Sequence, residues 1–100
     1  MNFDVSNAKY RIRITKKFDK DYKKIVKQGK NVDKLIDVII KLSQGEQLES
    51  KYRIHRLNDD GEYKDCHDLH IEPDWILIYK YEDDKLILTL SRTGSHSSLF

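Results

Sequence analysis

Four histidines, His55, His67, His70 and His96, all lie in the second half of a 100-residue chain. Histidine is the side chain whose unperturbed pKa lets it give and take protons near neutral pH. Carboxylates stand close by, with Asp68 just before His70 and Asp74 just after it, and imidazole beside carboxylate is the raw material of general acid and base catalysis. Strand parity sorts these groups. In an extended Asp68-Leu69-His70-Ile71 segment, Leu69 and Ile71 point to one face while Asp68 and His70 point to the other. If helices cover the Leu69/Ile71 face, Asp68 and His70 project together from the open one. His67 shares parity with Leu69 and is expected to be partly buried and structural.

The same parity weighs against a metal site at His67-x-x-His70. Residues three apart on a strand face opposite ways, whereas zinc draws its ligands together at about 2 Å; no metal or cofactor is expected. The single cysteine, Cys66, cannot close an internal disulfide, and nothing around it marks a low-pKa thiolate, so it is expected to pack rather than react. Gly61 and Gly94 are isolated and form no phosphate loop.

The elements that must position the histidines follow from periodicity. Tyr10-Arg11-Ile12-Arg13-Ile14 alternates apolar and basic residues and reads as a half-buried strand. Thr15 offers a hydroxyl cap to a helix whose stripe is Phe18, Tyr22, Ile25 and Val26, with Lys16, Lys17, Lys20, Lys23, Lys24 and Lys27 on the remaining faces and Gly29 as its stop. Asn31 caps a second helix carrying Val32, Leu35, Ile36, Ile39 and Leu42, which ends before Gly45; the short connection predicts an antiparallel helical hairpin. After a polar loop from Gln44 to Ser50 the period changes to two. Tyr52–Leu57, Tyr63–Ile71, Trp75–Tyr81 and Leu86–Arg92 read as strands of an antiparallel meander, with Trp75–Tyr79 apolar on both faces and therefore central. All four histidines fall outside the predicted helices. The fold class is α+β: an N-terminal strand, a two-helix hairpin, then a mainly antiparallel sheet of about four strands with helices on one face.

Length allows one core, so residues 1–100 are read as a single domain. With 38% hydrophobic and 36% charged residues, the chain can fold beneath a strongly charged surface. No apolar run approaches a membrane span, and Met1 to Tyr10 lacks the apolar centre of a secretory signal, so the cytoplasm is the expected compartment. Residues 1–50 hold 12 Lys/Arg against 7 Asp/Glu, a balance of +5; residues 51–100 hold 7 against 10, a balance of −3; together they give +2. A basic half fits either a polyanion partner or a merely solvated helix face.

Several ordered segments carry a resemblance: Tyr52-Arg53-Ile54-His55-Arg56-Leu57, then Tyr63-Lys64, then Asp68 through Lys80, and finally Arg92-Thr93-Gly94-Ser95-His96-Ser97-Ser98-Leu99-Phe100. In these the chain closely resembles the YafQ toxins of the RelE superfamily. The resemblance implies a RelE-type α+β fold and cleavage of messenger RNA at the ribosome. It also implies a cognate antitoxin as partner, contact with operator DNA only through that antitoxin, and no membrane association. Position by position, the family's functional residues fall on His55, Asp68, His70, Asp74, His96 and Phe100. His67 departs from the family's usual arginine before the Asp-x-His unit, which weakens one expected phosphate contact.

RNA can be cut without a metal by the neighbouring ribose 2′-OH, given a base for its proton, an acid for the leaving 5′-oxygen and cations for the phosphorane charge. His70 and His96 are the implied acid and base, in either order. His55 would orient the phosphate, Asp68 and Asp74 would fix imidazole tautomers, and Phe100 would stack on a base. Arg56, Lys64 and Arg92 are candidate phosphate contacts, and Lys16, Lys20, Lys23, Lys24 and Lys27 would dock on ribosomal RNA. Asp74 fits the closing residue of a Pro73 turn equally well. Two other functions share the scaffold: a ParE-like toxin that binds gyrase, and a non-catalytic partner-binding module.

Overall fold

The computed structural model describes residues 6–100, so part of the Met1 to Tyr10 segment read for a secretory signal lies outside the described residues. Strand β1 (Arg11–Ile14) is followed by helices α1 (Lys16–Lys27) and α2 (Val32–Ser43). A single 3₁₀ turn at Ser50–Tyr52 leads into β2 (His55–Arg56), β3 (His67–Glu72), β4 (Trp75–Glu82), β5 (Ile87–Gly94) and the short helix α3 (His96–Leu99). The strands form one sheet in the order β1-β5-β4-β3-β2. β1 runs parallel to β5, and the other pairings are antiparallel. The α+β class stands, and β4 is the central strand that its two-sided apolarity predicts.

Both helix caps act as their residues predict. The Thr15 hydroxyl accepts the Phe18 N–H at 3.1 Å, and the Asn31 side chain accepts the Asp33 N–H at 3.1 Å. Phe18 and Ile25 of α1 and Leu35, Val38, Ile39 and Leu42 of α2 are buried against Leu69, Trp75, Leu77, Tyr79, Leu88 and Leu90 of the sheet. Burial of this apolar surface is the main drive to fold. The predicted α1 stripe needs one correction: Val26 is 49% exposed. The inward position falls instead to Asp21, three residues after Phe18 and four before Ile25, a helical spacing that places it on the buried side.

The opposite face of the sheet carries a second, smaller core of Tyr63, Cys66, Ile76, Ile78 and Leu99, which the reading of one covered and one open face did not anticipate. Two predicted strands are also shorter than expected. Tyr52–Leu57 contracts to His55–Arg56, because Arg53 adopts a left-handed conformation (φ 50°) after the 3₁₀ turn. Tyr63–Ile71 begins only at His67, because residues 60–65 form turns in which Asp59 accepts the Gly61 and Tyr63 N–H groups and Asp65 has φ 62°.

Candidate active site

Cross-strand neighbours share a face. Asp68 lies opposite Ile78, His70 opposite Ile76 and His55 opposite Asp68, so these three polar side chains lie on the face of the small core. His67 lies opposite Tyr79 and stacks on its ring, with centroids 5.7 Å apart and planes 21° from parallel, the structural place that parity gives it. Burial there also pushes the Tyr79 hydroxyl up to about 12, with the Asp68 charge adding. Register shifts beside Ile71 and Ser91 bracket this part of the sheet; such bulges re-aim nearby side chains.

His96 corrects the expectation that no histidine lies in a helix, for it is the first residue of α3. Four interactions fix this turn of helix. Ser95 is its N-cap, its hydroxyl facing the Ser98 N–H, and Leu99 is 6% exposed against Ile76 and Ile78. The Tyr63 hydroxyl donates to the Leu99 carbonyl at 3.0 Å. The fourth is Asp74 in the β3–β4 turn, whose Oδ1 accepts the His96 backbone N–H at 3.0 Å and lies 3.0 Å from the His96 Nδ1. Asp74 therefore closes the Pro73 turn and holds a histidine as well.

The result brings His70, Asp74, His96 and Phe100 together. The His70 and His96 rings have centroids 5.5 Å apart, His96 and Phe100 6.3 Å, and Phe100 meets Tyr63 edge to face at 5.7 Å. Phe100 is 60% exposed, leaving ring surface open for a base to stack on. The Asp74 carboxyl is held below its ordinary pKa by the His96 backbone N–H first and then by the imidazole, with the nearby charges of His96 and Lys30 adding; desolvation opposes. It is thus a carboxylate at neutral pH. His55 and Asp68 form a second pair one step away along the same face, His55 Nδ1 lying 3.9 Å from Asp68 Oδ1. Asp68 is buried and this oxygen has no hydrogen-bond partner.

The candidate cations are dispersed. Lys64 is exposed, and Arg56 pairs with Asp65 at 3.2 Å on the surface. Arg92 is largely committed elsewhere: its Nε and Nη2 donate to both oxygens of buried Asp21 at 2.7 and 3.1 Å, and Asp21 also accepts the Thr93 N–H. Lys16, Lys20, Lys23, Lys24 and Lys27 are exposed on α1, with Lys23 paired to Asp19. Lys24 and Arg92 both line a cleft that also reaches Ser95 beside His96. Burial pushes the Cys66 thiol up, which suits packing and not nucleophilic attack.

Residues 10–100 match a protein family described as the bacterial toxin of type II toxin-antitoxin systems, YafQ. The mRNA interferase toxin YafQ of Escherichia coli K12 is 38% identical over 90 residues, which span 89% of this chain and 94% of that protein. Among solved structures, a chain of the E. coli DinJ-YafQ toxin-antitoxin complex superimposes with a TM-score of 0.83 at 35% identity, covering 92% of this chain and 98% of its own. A metal-bound toxin from Helicobacter pylori superimposes with a TM-score of 0.84 at 38% identity, covering 91% and 99%. Among the described residues no group of three or more His, Cys, Asp or Glu side chains is placed to hold a metal ion.

Proposed function

This chain belongs to the YafQ family of bacterial type II toxins, and from that premise we propose that it is an endoribonuclease that cuts messenger RNA on the ribosome. The observation that carries the reading is the His96–Asp74 pair facing His70 across 5.5 Å. An imidazole whose Nδ1–H donates to a carboxylate keeps its lone pair on Nε2, the atom then free to take a proton. His96 is accordingly the base that removes the proton of the ribose 2′-OH. The resulting oxygen attacks the adjacent phosphorus, and the bond to the 5′-oxygen breaks with a proton supplied by His70. The products are a 2′,3′-cyclic phosphate and a 5′-OH. His55, held near Asp68, stands where it can meet the phosphate when protonated, and Phe100 offers a face to a base.

Proton transfer contributes about 10² to 10⁴ fold; holding the 2′-OH in line with the leaving oxygen must supply much of the rest. His55, Asp74, His96 and Phe100 are all exposed, so the site is an open surface with little to grip a flexible strand. A ribosome presents mRNA along a fixed path, which is the positioning this surface lacks. Among the described residues no helix is long and apolar enough to cross a membrane. Action on translating ribosomes would put the protein in the cytoplasm, and the proposed steps use imidazoles as their proton carriers.

The E. coli relative was solved as a complex with DinJ. This chain is accordingly held inactive by an antitoxin of its own, and meets operator DNA only through that partner. Incubation of the purified protein with translating ribosomes tests the enzymatic reading: new message ends are expected, and arrest without them would refute it.

A further inference from the structure

A cleft of about 220 Å³ opens between the C-terminal half of α1 and the β5–α3 junction. Lys24, Gln28, Lys30, Arg92, Ser95 and Ser98 supply its polar walls. Asp21 is the one carboxylate in the lining, and it is already satisfied by Arg92 and the Thr93 N–H. Three cations against one anion leave an excess of two positive charges, while the amide of Gln28 and the two hydroxyls add neutral donors. Lys30 stands over the Trp75 ring at 5.5 Å, which steadies its ammonium without neutralising it. Among the described residues no carboxylate forms an ion pair with Lys24 or Lys30.

We propose that this cleft is a phosphodiester subsite that holds the RNA backbone next to the bond being cut, with Lys30 and Lys24 as its principal contacts. The inference rests on the reading of the chain as an RNA-cutting toxin. Its location follows from two links to the reacting groups: Ser95 in the cleft wall precedes His96 directly, and the charge of Lys30 reaches Asp74, the partner of His96. A phosphate seated there would fix the strand on one side of the scissile bond while Phe100 takes a base, which is the orientation an in-line attack needs. The size of the cleft suits a phosphate group with part of its ribose, and too few apolar walls line it to favour a nucleobase. Lys30 would act on positioning, not on proton transfer.

The test uses the full chain and a short 2′-O-methyl oligoribonucleotide, which cannot be cut because its nucleophile is blocked. NMR titration should move the amide resonances of Gln28, Lys30 and Thr93 through Ser98. Lys30→Gln should weaken binding about fivefold to tenfold and lower the slope of log K against log salt by about 0.7, while Lys30→Arg restores both. Inorganic phosphate, titrated separately, should perturb the same residues weakly. Oligonucleotide shifts confined to Phe100 and His55, unchanged affinity and slope in Lys30→Gln, or no binding at all would each overturn the subsite. Cleavage of ribosome-bound message by the parent protein, assayed alongside, reports on the nuclease reading alone, so the two failures are distinguishable.

Discussion

His96 and Asp74 are joined twice through one oxygen: Asp74 Oδ1 lies 3.0 Å from both the backbone nitrogen and the ring Nδ1 of His96. The first contact seats α3 on the β3–β4 turn, and in the proposed reaction the second would leave Nε2 as the ring nitrogen that meets the RNA. One carboxylate would thus serve a structural task and, in the proposed mechanism, a chemical one.

Asp74→Asn separates the two tasks. Its amide oxygen can still accept the His96 backbone N–H, so the fold should survive, but the charge that supports an imidazolium is gone. Single-turnover cleavage is expected to fall by about 10² fold with an unchanged circular dichroism spectrum. Cleavage at the parent rate would mean that the pair is structural only.

The depressed pKa of Asp74 has a signed consequence for stability. A carboxyl whose folded pKa lies below its unfolded value contributes stability that is fully present above the unfolded pKa and is lost as pH falls through the folded one. The difference in Tm between the parent and Asp74→Asn should thus be present near pH 5 and shrink toward zero in stronger acid. A difference that grew on acidification would contradict the assignment.

His70→Ala and His96→Ala are expected to fold like the parent and to lose growth inhibition, each lowering cleavage by about 10² to 10⁴ fold. His67→Ala should leave cleavage nearly intact and lower Tm, since His67 stacks on Tyr79 on the helix-covered face. Full toxicity of either of the first two variants at matched expression would remove that residue from the mechanism.

The Asp21–Arg92 pair is nearly buried, with side-chain exposures of 8% and 19%. Asp21→Ala strands a guanidinium with little water around it and should cost about 3 kcal/mol or more in urea unfolding, a large share of the stability of so small a domain. Replacing both residues with apolar ones of similar volume should recover most of that loss. A loss below about 1 kcal/mol in the single variant would show the pair to be effectively solvated.

Much of this was legible in the chain because period and parity are local properties. The caps at Thr15 and Asn31, the central β4 and the separation of Asp68 and His70 from Leu69 all follow from them. The shortened β2 and β3 did not, because left-handed Arg53 and Asp65 break strands without the glycine that signals such a turn. Helix α3 escaped because four residues carry no helical period, and tertiary ties to Asp74 and Tyr63 hold it. Lys30 could not be distinguished from the other lysines, since its value lies in what Trp75 and Ser95 bring beside it. Asp21 did leave a signal, a carboxylate at helical spacing between Phe18 and Ile25, where only a partnered one is tolerated.

The most direct test is to map the ends of a message incubated with the purified protein, with and without translating ribosomes. New 5′-OH and 2′,3′-cyclic phosphate ends are expected only where ribosomes are present, with none from His96→Ala and no cut at a position whose 2′-OH is replaced by hydrogen. Translation that stops without new ends would identify a binding-only inhibitor, and equal cutting of free RNA, or cutting that persists at the deoxy position, would contradict the proposed chemistry.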